Sequence, residues 1–136
     1  MTRRFRAELV CMANNNNLVL LIEPDEAVRA AISSLLKQHG WRVSASADAD
    51  GLKALLEDKA PLALICESEL PDMTAKQVLR ACQEYEIPAV FLGHRREIQE
   101  AVDLIHLGAS DFLEKPFPQD RLLRLLNKLS DAGQTS

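Results

Sequence analysis

The chain has 136 residues, 47% of them hydrophobic, 26% charged and 4% aromatic, a length that suits one domain with its own core. Sixteen Lys and Arg against twenty Asp and Glu give a formal charge of −4, which argues against direct contact with nucleic acid, and so few aromatics argue against a base-stacking platform. The apolar runs fall far short of the ~20 residues a membrane span needs, and Cys11, Cys66 and Cys82 have neither CxxC nor zinc-ligand spacing, so a soluble, cytoplasmic α/β domain is expected.

Residues 1–17 read as an N-terminal extension. Arg3, Arg4 and Arg6 precede a short apolar piece, 9–13, and a run of four asparagines. Glu8 breaks any signal-peptide core, which needs about 7–15 apolar residues. The expectation is a disordered or loosely attached segment, and Met12 is an alternative start that mass spectrometry of the native protein would reveal.

Leu18–Ile22 is a continuous apolar run, as in a central parallel strand covered on both faces. Val28, Ala31, Ile32, Leu35 and Leu36 then take helical spacing, and Gly40 supplies the stop. Trp41, Val43 and Ala45 alternate like an edge strand. Asp48 is placed to cap a helix carrying Leu52, Leu55 and Leu56. Residues 62–66 repeat the buried-strand pattern, and Thr74 with Gln77 forms a capping box ahead of Val78, Cys82 and Tyr85. Residues 89–92 make a fourth strand. Ile98, Ala101, Val102 and Ile105 outline the inward face of a fourth helix that stops at Gly108. Asp111–Glu114 is a short fifth strand, and Pro118 suits the first turn of a last helix with Leu122, Leu125, Leu126 and Leu129 inward. Residues 18–129 thus form the domain, and 130–136 read as a tail or linker.

Five strand-then-helix units imply right-handed crossovers onto a parallel sheet. The expected fold is a flavodoxin-like, doubly wound three-layer sandwich with strand order 2-1-3-4-5. Ligands of such folds sit beyond the carboxyl ends of the strands. Those ends carry Glu23, Pro24 and Asp25, then Glu67, Ser68 and Glu69, then Gly93 and His94, and finally Lys115 and Pro116. Two carboxylates and a lysine converge there, against the plainer alternative of solvated loop charges. Pro116 makes Lys115-Pro116 a candidate cis peptide. No GxGxxG follows a strand, and there is no Walker-type loop or GxSxG elbow. Cys66 reads as a small buried hydrophobe, and His39 and His106 as surface residues at helix C-termini.

From about Leu18 to Leu129 the chain resembles the receiver domains of bacterial two-component response regulators. The wording is closest in 18–29, in 67–75 with Leu70-Pro71-Asp72-Met73, and in 108–117 with its Lys115-Pro116-Phe117. The resemblance implies phosphoryl transfer from a histidine kinase to an aspartate after strand three. It also implies Mg²⁺ on an acidic pair after strand one, a hydroxyl residue after strand four and a lysine after strand five. Position by position, Glu23 takes the first acidic place and Pro24 the second. Glu67 stands at the phosphoacceptor, Gly93 replaces the hydroxyl, and Ala75 replaces a common loop glycine. Lys115 is kept, and Phe112 occupies the aromatic switch position.

Pro24 offers no metal-ligating oxygen, Asp25 points outward in the family, and Glu67 carries its carboxylate one methylene too far. A shift of about 1 Å can cost on the order of a hundredfold in rate. The expectation is a degenerate receiver with no metal, no cofactor and no catalytic residue, in which Glu67 approaches Lys115 and Phe112 sits inward over Gly93. It would act on a protein partner or output domain, or dimerise, through the face of helix 4, strand 5 and helix 5. Charges there come from Glu97, Glu100, Asp103, Asp111, Arg121 and Arg124. Two alternatives are a working phosphoacceptor that uses Mg²⁺ and a non-standard acidic residue, and a crevice binding an anion with Lys115, Arg95 and Arg96.

Overall fold

The structure, a computed structural model, describes residues 16–94 and 98–135. Five strands alternate with five helices: β1 Leu18–Ile22, α1 Glu26–Gln38, β2 Arg42–Ser46, α2 Leu52–Lys59, β3 Ala63–Glu67, α3 Ala75–Glu84, β4 Ala89–Gly93, α4 Ile98–His106, β5 Asp111–Glu114 and α5 Gln119–Thr135. All pairings are parallel, in the expected order β2-β1-β3-β4-β5. Met12, Arg95, Arg96 and Glu97 lie outside the described residues, as does most of the expected extension.

Alternation along each strand divides the core in two, because successive side chains point to opposite faces. Leu20, Ile22, Leu64, Cys66 and Phe91 pack against Leu52, Leu56, Val78, Leu79, Cys82 and Leu104 of α2, α3 and α4. Val19, Leu21, Ile65, Val90 and Leu113 pack against Ile32 and Leu36 of α1 and Leu122 and Leu126 of α5. Every residue of β3 and β4 is buried, as two-sided coverage requires.

Several local expectations shift. Asn16 and Asn17 belong to the packed body: the Asn16 amide donates to the Ala60 carbonyl at 3.0 Å, and Asn17 accepts from Arg42 Nε at 2.8 Å while donating to the Gly40 carbonyl at 2.9 Å. Ala45 is exposed, while Trp41 and Val43 pack on the second core cluster. Asp48 does not cap α2. Its Oδ1 accepts from the Asp50 amide at 3.0 Å, and Gly51, left-handed at φ 69°, takes the N-cap position without a side-chain bond. Asp48 lies three residues upstream of that N-cap, too far to reach the first free amides of a helix that begins at Leu52. The Thr74–Gln77 capping box is present, with both reciprocal bonds. The last helix begins after Pro118 and runs past Leu129 to Thr135.

The largest difference is in α4. Ile98, Val102 and Ile105 face solvent at 59%, 44% and 43% exposure, and the side chain in the core is Leu104. Residues 98, 101, 102, 104 and 105 are all apolar, so helical periodicity admits either of two adjacent faces. The helix C-terminus selects one of them. Ala109 is buried and its amide donates to the Leu104 carbonyl at 2.9 Å, anchoring that side to the sheet.

Gly108, at φ 111°, makes this turn possible; a Cβ there would lie 2.7 Å from Gln83 Nε2, which donates to the Leu107 carbonyl. Left-handed backbone costs a non-glycine residue about 1–2 kcal/mol. Gly108→Ala is therefore expected to destabilise by about 1–2 kcal/mol, read as a lowered urea midpoint with an unchanged m-value.

Candidate functional site

The parallel register sets the site. Ile22 pairs with Cys66, Glu67 with Leu92, and Gly93 with Glu114. Glu23, Glu67 and Lys115 therefore leave the same edge of the sheet, from β1, β3 and β5. Neighbouring strands lie about 4.8 Å apart, so β5 is roughly 10 Å from β3 and 14 Å from β1. Only long side chains bridge those gaps, and each of the three positions has one.

Lys115 Nζ donates to both Glu23 Oε1 and Glu67 Oε2. Both carboxylates are almost fully enclosed, with side chains at 2% and 7% exposure, against 14% for Lys115. The remaining oxygens are also taken. The Asp25 amide donates to Glu23 Oε2 at 3.1 Å, and the Glu69 amide to Glu67 Oε1 at 3.3 Å. Bonds to backbone amides fix the rotamers of both glutamates, so the site is a rigid three-residue ion cluster rather than solvated loop charges. The Lys115-Pro116 peptide is cis, the isomer flagged from the sequence.

Burial works to lower the Lys115 pKa, but hydrogen bonds and charge from Glu23 and Glu67 outweigh it and hold the ammonium above its ordinary 10.5. A folded-state pKa above the unfolded value stabilises the native state fully below 10.5, and that contribution is lost as pH rises through the folded value. Wild type and Lys115→Gln are therefore expected to differ by a constant stability at neutral pH. Above 10.5 the difference shrinks, a convergence that chemical denaturation along an alkaline series would record.

Asp25 stands apart from the cluster. It is the N-cap of α1, with its Oδ1 accepting from the Val28 amide at 3.1 Å, and it is exposed. A short Asx side chain just before a helix is well placed to accept from the orphan amides of its first turn, and Asp25 is held there. Gly93 is buried at the end of β4, and the Lys115 amide donates to its carbonyl at 2.7 Å. Phe112 is half-buried and packs on the core side shared with α3 and α4. Cys66 is enclosed just before Glu67; burial first, then neighbouring Cys82 and carboxylates, push its thiol pKa well up, and burial lifts Cys82 to about 12. Both stay protonated at neutral pH, as expected of small core side chains.

Two contacts were not anticipated. Arg29 Nη1 donates to the Glu23 carbonyl at 2.8 Å, bracing the loop after β1. Both Asp72 oxygens accept from the Ala49 amide at 3.2 and 3.3 Å, tying the loop after β3 to the approach to α2. Asp72 carried a signal in the sequence, as part of the Leu-Pro-Asp-Met stretch, but its partner lies 23 residues away.

Among solved structures, the receiver domain of NtrX from Brucella abortus is 27% identical with a TM-score of 0.76, covering 83% of this chain and 98% of that one. Full-length FixJ from B. japonicum is 24% identical with a TM-score of 0.81, covering 89% of this chain and 61% of that one. The curated response regulator protein TmoT of Ectopseudomonas mendocina is 34% identical over 117 residues, 82% of this chain and 52% of that protein. Transcriptional regulatory protein FixJ of Rhizobium meliloti is 25% identical over 115 residues, 83% of this chain and 56% of that protein. The chain thus spans about half the length of these curated relatives. The family model of the response regulator receiver domain matches residues 19–127. With that match laid over the observed sheet order and strand-end site, the chain belongs to the response regulator receiver domain family.

Proposed function

We propose that this receiver domain works without phosphoryl transfer, as a fixed interaction module that governs an output domain or separate protein partner in cytoplasmic two-component signalling. The observation that carries the reading is the enclosed Glu23–Lys115–Glu67 cluster. The position the family uses for the phosphoacceptor holds a glutamate whose two oxygens are bound to Lys115 and to the Glu69 amide. A carboxylate so engaged is a poor nucleophile toward an incoming phosphoryl group, and Gly93 offers no hydroxyl to follow one.

The Mg²⁺ that the family implies finds a poor fit among these residues. Pro24 lacks a side-chain oxygen, and Asp25 is turned to its helix cap. In place of a group that comes and goes, the cluster supplies a permanent link between β3 and β5, with Phe112 packed on the core side. Exposed apolar side chains lie on α4 at Ile98, Val102 and Ile105 and just past its end at Leu107, and the proposed face takes in β5 and α5 as well. There Arg121 lies 4.0 Å from Asp111, and Arg124 pairs with Asp120 at 2.9 Å. Such a face suits a protein partner or a second copy. No helix among the described residues is long and apolar enough to cross a membrane. The names of relatives such as the transcriptional regulator FixJ support an output in transcription.

Incubation with Mg²⁺ and a small acyl-phosphate donor, read by intact mass, tests this. The expected spectrum is unchanged. A stoichiometric gain of one phosphoryl group would overturn the reading in favour of a working acceptor.

A further inference from the structure

The crevice has a second property, which concerns its counter-charge. One nitrogen, Lys115 Nζ, touches a carboxylate oxygen from β1 and one from β3. A small divalent cation bridging Glu23 and Glu67 would need those same two oxygens. The other two are occupied by the Asp25 and Glu69 amides. Further carboxylates nearby are committed elsewhere: Asp25 accepts from Val28, and Asp72 from Ala49. Mg²⁺ requires a near-octahedral set of oxygens and dehydrates reluctantly, so a net negative charge without free donors is not enough to hold it.

We propose that Lys115 is the resident counter-cation of this crevice and closes it to divalent metal, with the absence of a third carboxylate beside Glu23 as the second half of the barrier. The proposal rests on the reading above only in treating the strand-end cluster as the functional site. It also makes the barrier reversible by either of two single substitutions. Lys115→Gln removes the competing ammonium and leaves two buried carboxylates facing one point. Pro24→Asp, at an exposed position, adds a donor while the ammonium stays.

The test uses the whole ¹⁵N-labelled chain with Mn²⁺ as the probe, because it shares magnesium's charge and oxygen preference and broadens nearby amide signals. For wild type, signals around Glu23, Glu67 and Lys115 are expected to fade no faster than those of the general surface. For Lys115→Gln and for Pro24→Asp, the same signals are expected to lose more than half their intensity at substoichiometric Mn²⁺ and to recover with excess Mg²⁺. Selective, Mg²⁺-reversible fading in wild type would overturn the proposal, as would a flat response from a folded Lys115→Gln. If Lys115→Gln does not fold, Pro24→Asp decides alone, and a flat response there overturns it. A phosphoryl gain in the mass experiment, repeated with chelator present, would sink the functional reading and leave the metal barrier standing, so the two failures are separable.

Discussion

Lys115→Met is expected to destabilise the domain by about 3 kcal/mol, lowering Tm by roughly 10 °C. The reason is the asymmetry of a buried ion cluster. The lysine side chain is 14% exposed and its two partners far less, so removing the ammonium leaves two enclosed carboxylates with no cation to offset their desolvation. Glu67→Gln makes the informative contrast. It removes one negative charge from a cluster that carries an excess of one and keeps side-chain length, but its amide nitrogen must face either Lys115 or the Glu69 amide, so it is expected to cost about 1 kcal/mol, well below the lysine substitution. Urea unfolding followed by circular dichroism measures both. Equal losses for the two variants would mean that packing around the crevice, and not charge compensation, holds the strand ends together.

The second large effect is expected from Leu104→Ala, at about 3 kcal/mol, within the 2–5 kcal/mol typical of a leucine truncated in a closed core. Leu104 is fully buried against the sheet face shared with α2 and α3. Val102→Ser and Ile105→Ser on the same helix are expected to shift stability by no more than about 0.5 kcal/mol, and to weaken association with the partner or second copy proposed for that face. The reverse order in the denaturation midpoints would mean that α4 is rotated, with the 98–102–105 stripe inward.

That helix shows where one-dimensional pattern runs out. Its apolar residues cover more than one face, and periodicity names a face only when the opposite one is polar. Helix α1 is the easier case: Ile32, Leu35 and Leu36 are buried at the spacing the sequence gives, with charged and polar residues opposite. Asp25 and Asp48 look alike as Asx residues ahead of helices, yet only Asp25 caps one, because the second helix starts three residues later than a cap at Asp48 would need, which changes the amides in reach.

The order of strands and helices was written in the chain, since alternating periods of two and 3.6 and the handedness of crossovers are local properties of the polypeptide. So was the arrival of Glu23, Glu67 and Lys115 at one edge, because each directly follows or ends an apolar strand. Folding alone decided which oxygen meets which donor, that Asp72 clasps Ala49, and which side of α4 meets the sheet. Those outcomes depend on distances across neighbouring strands and between loops far apart in sequence, and such separations exist only once register and packing have been set.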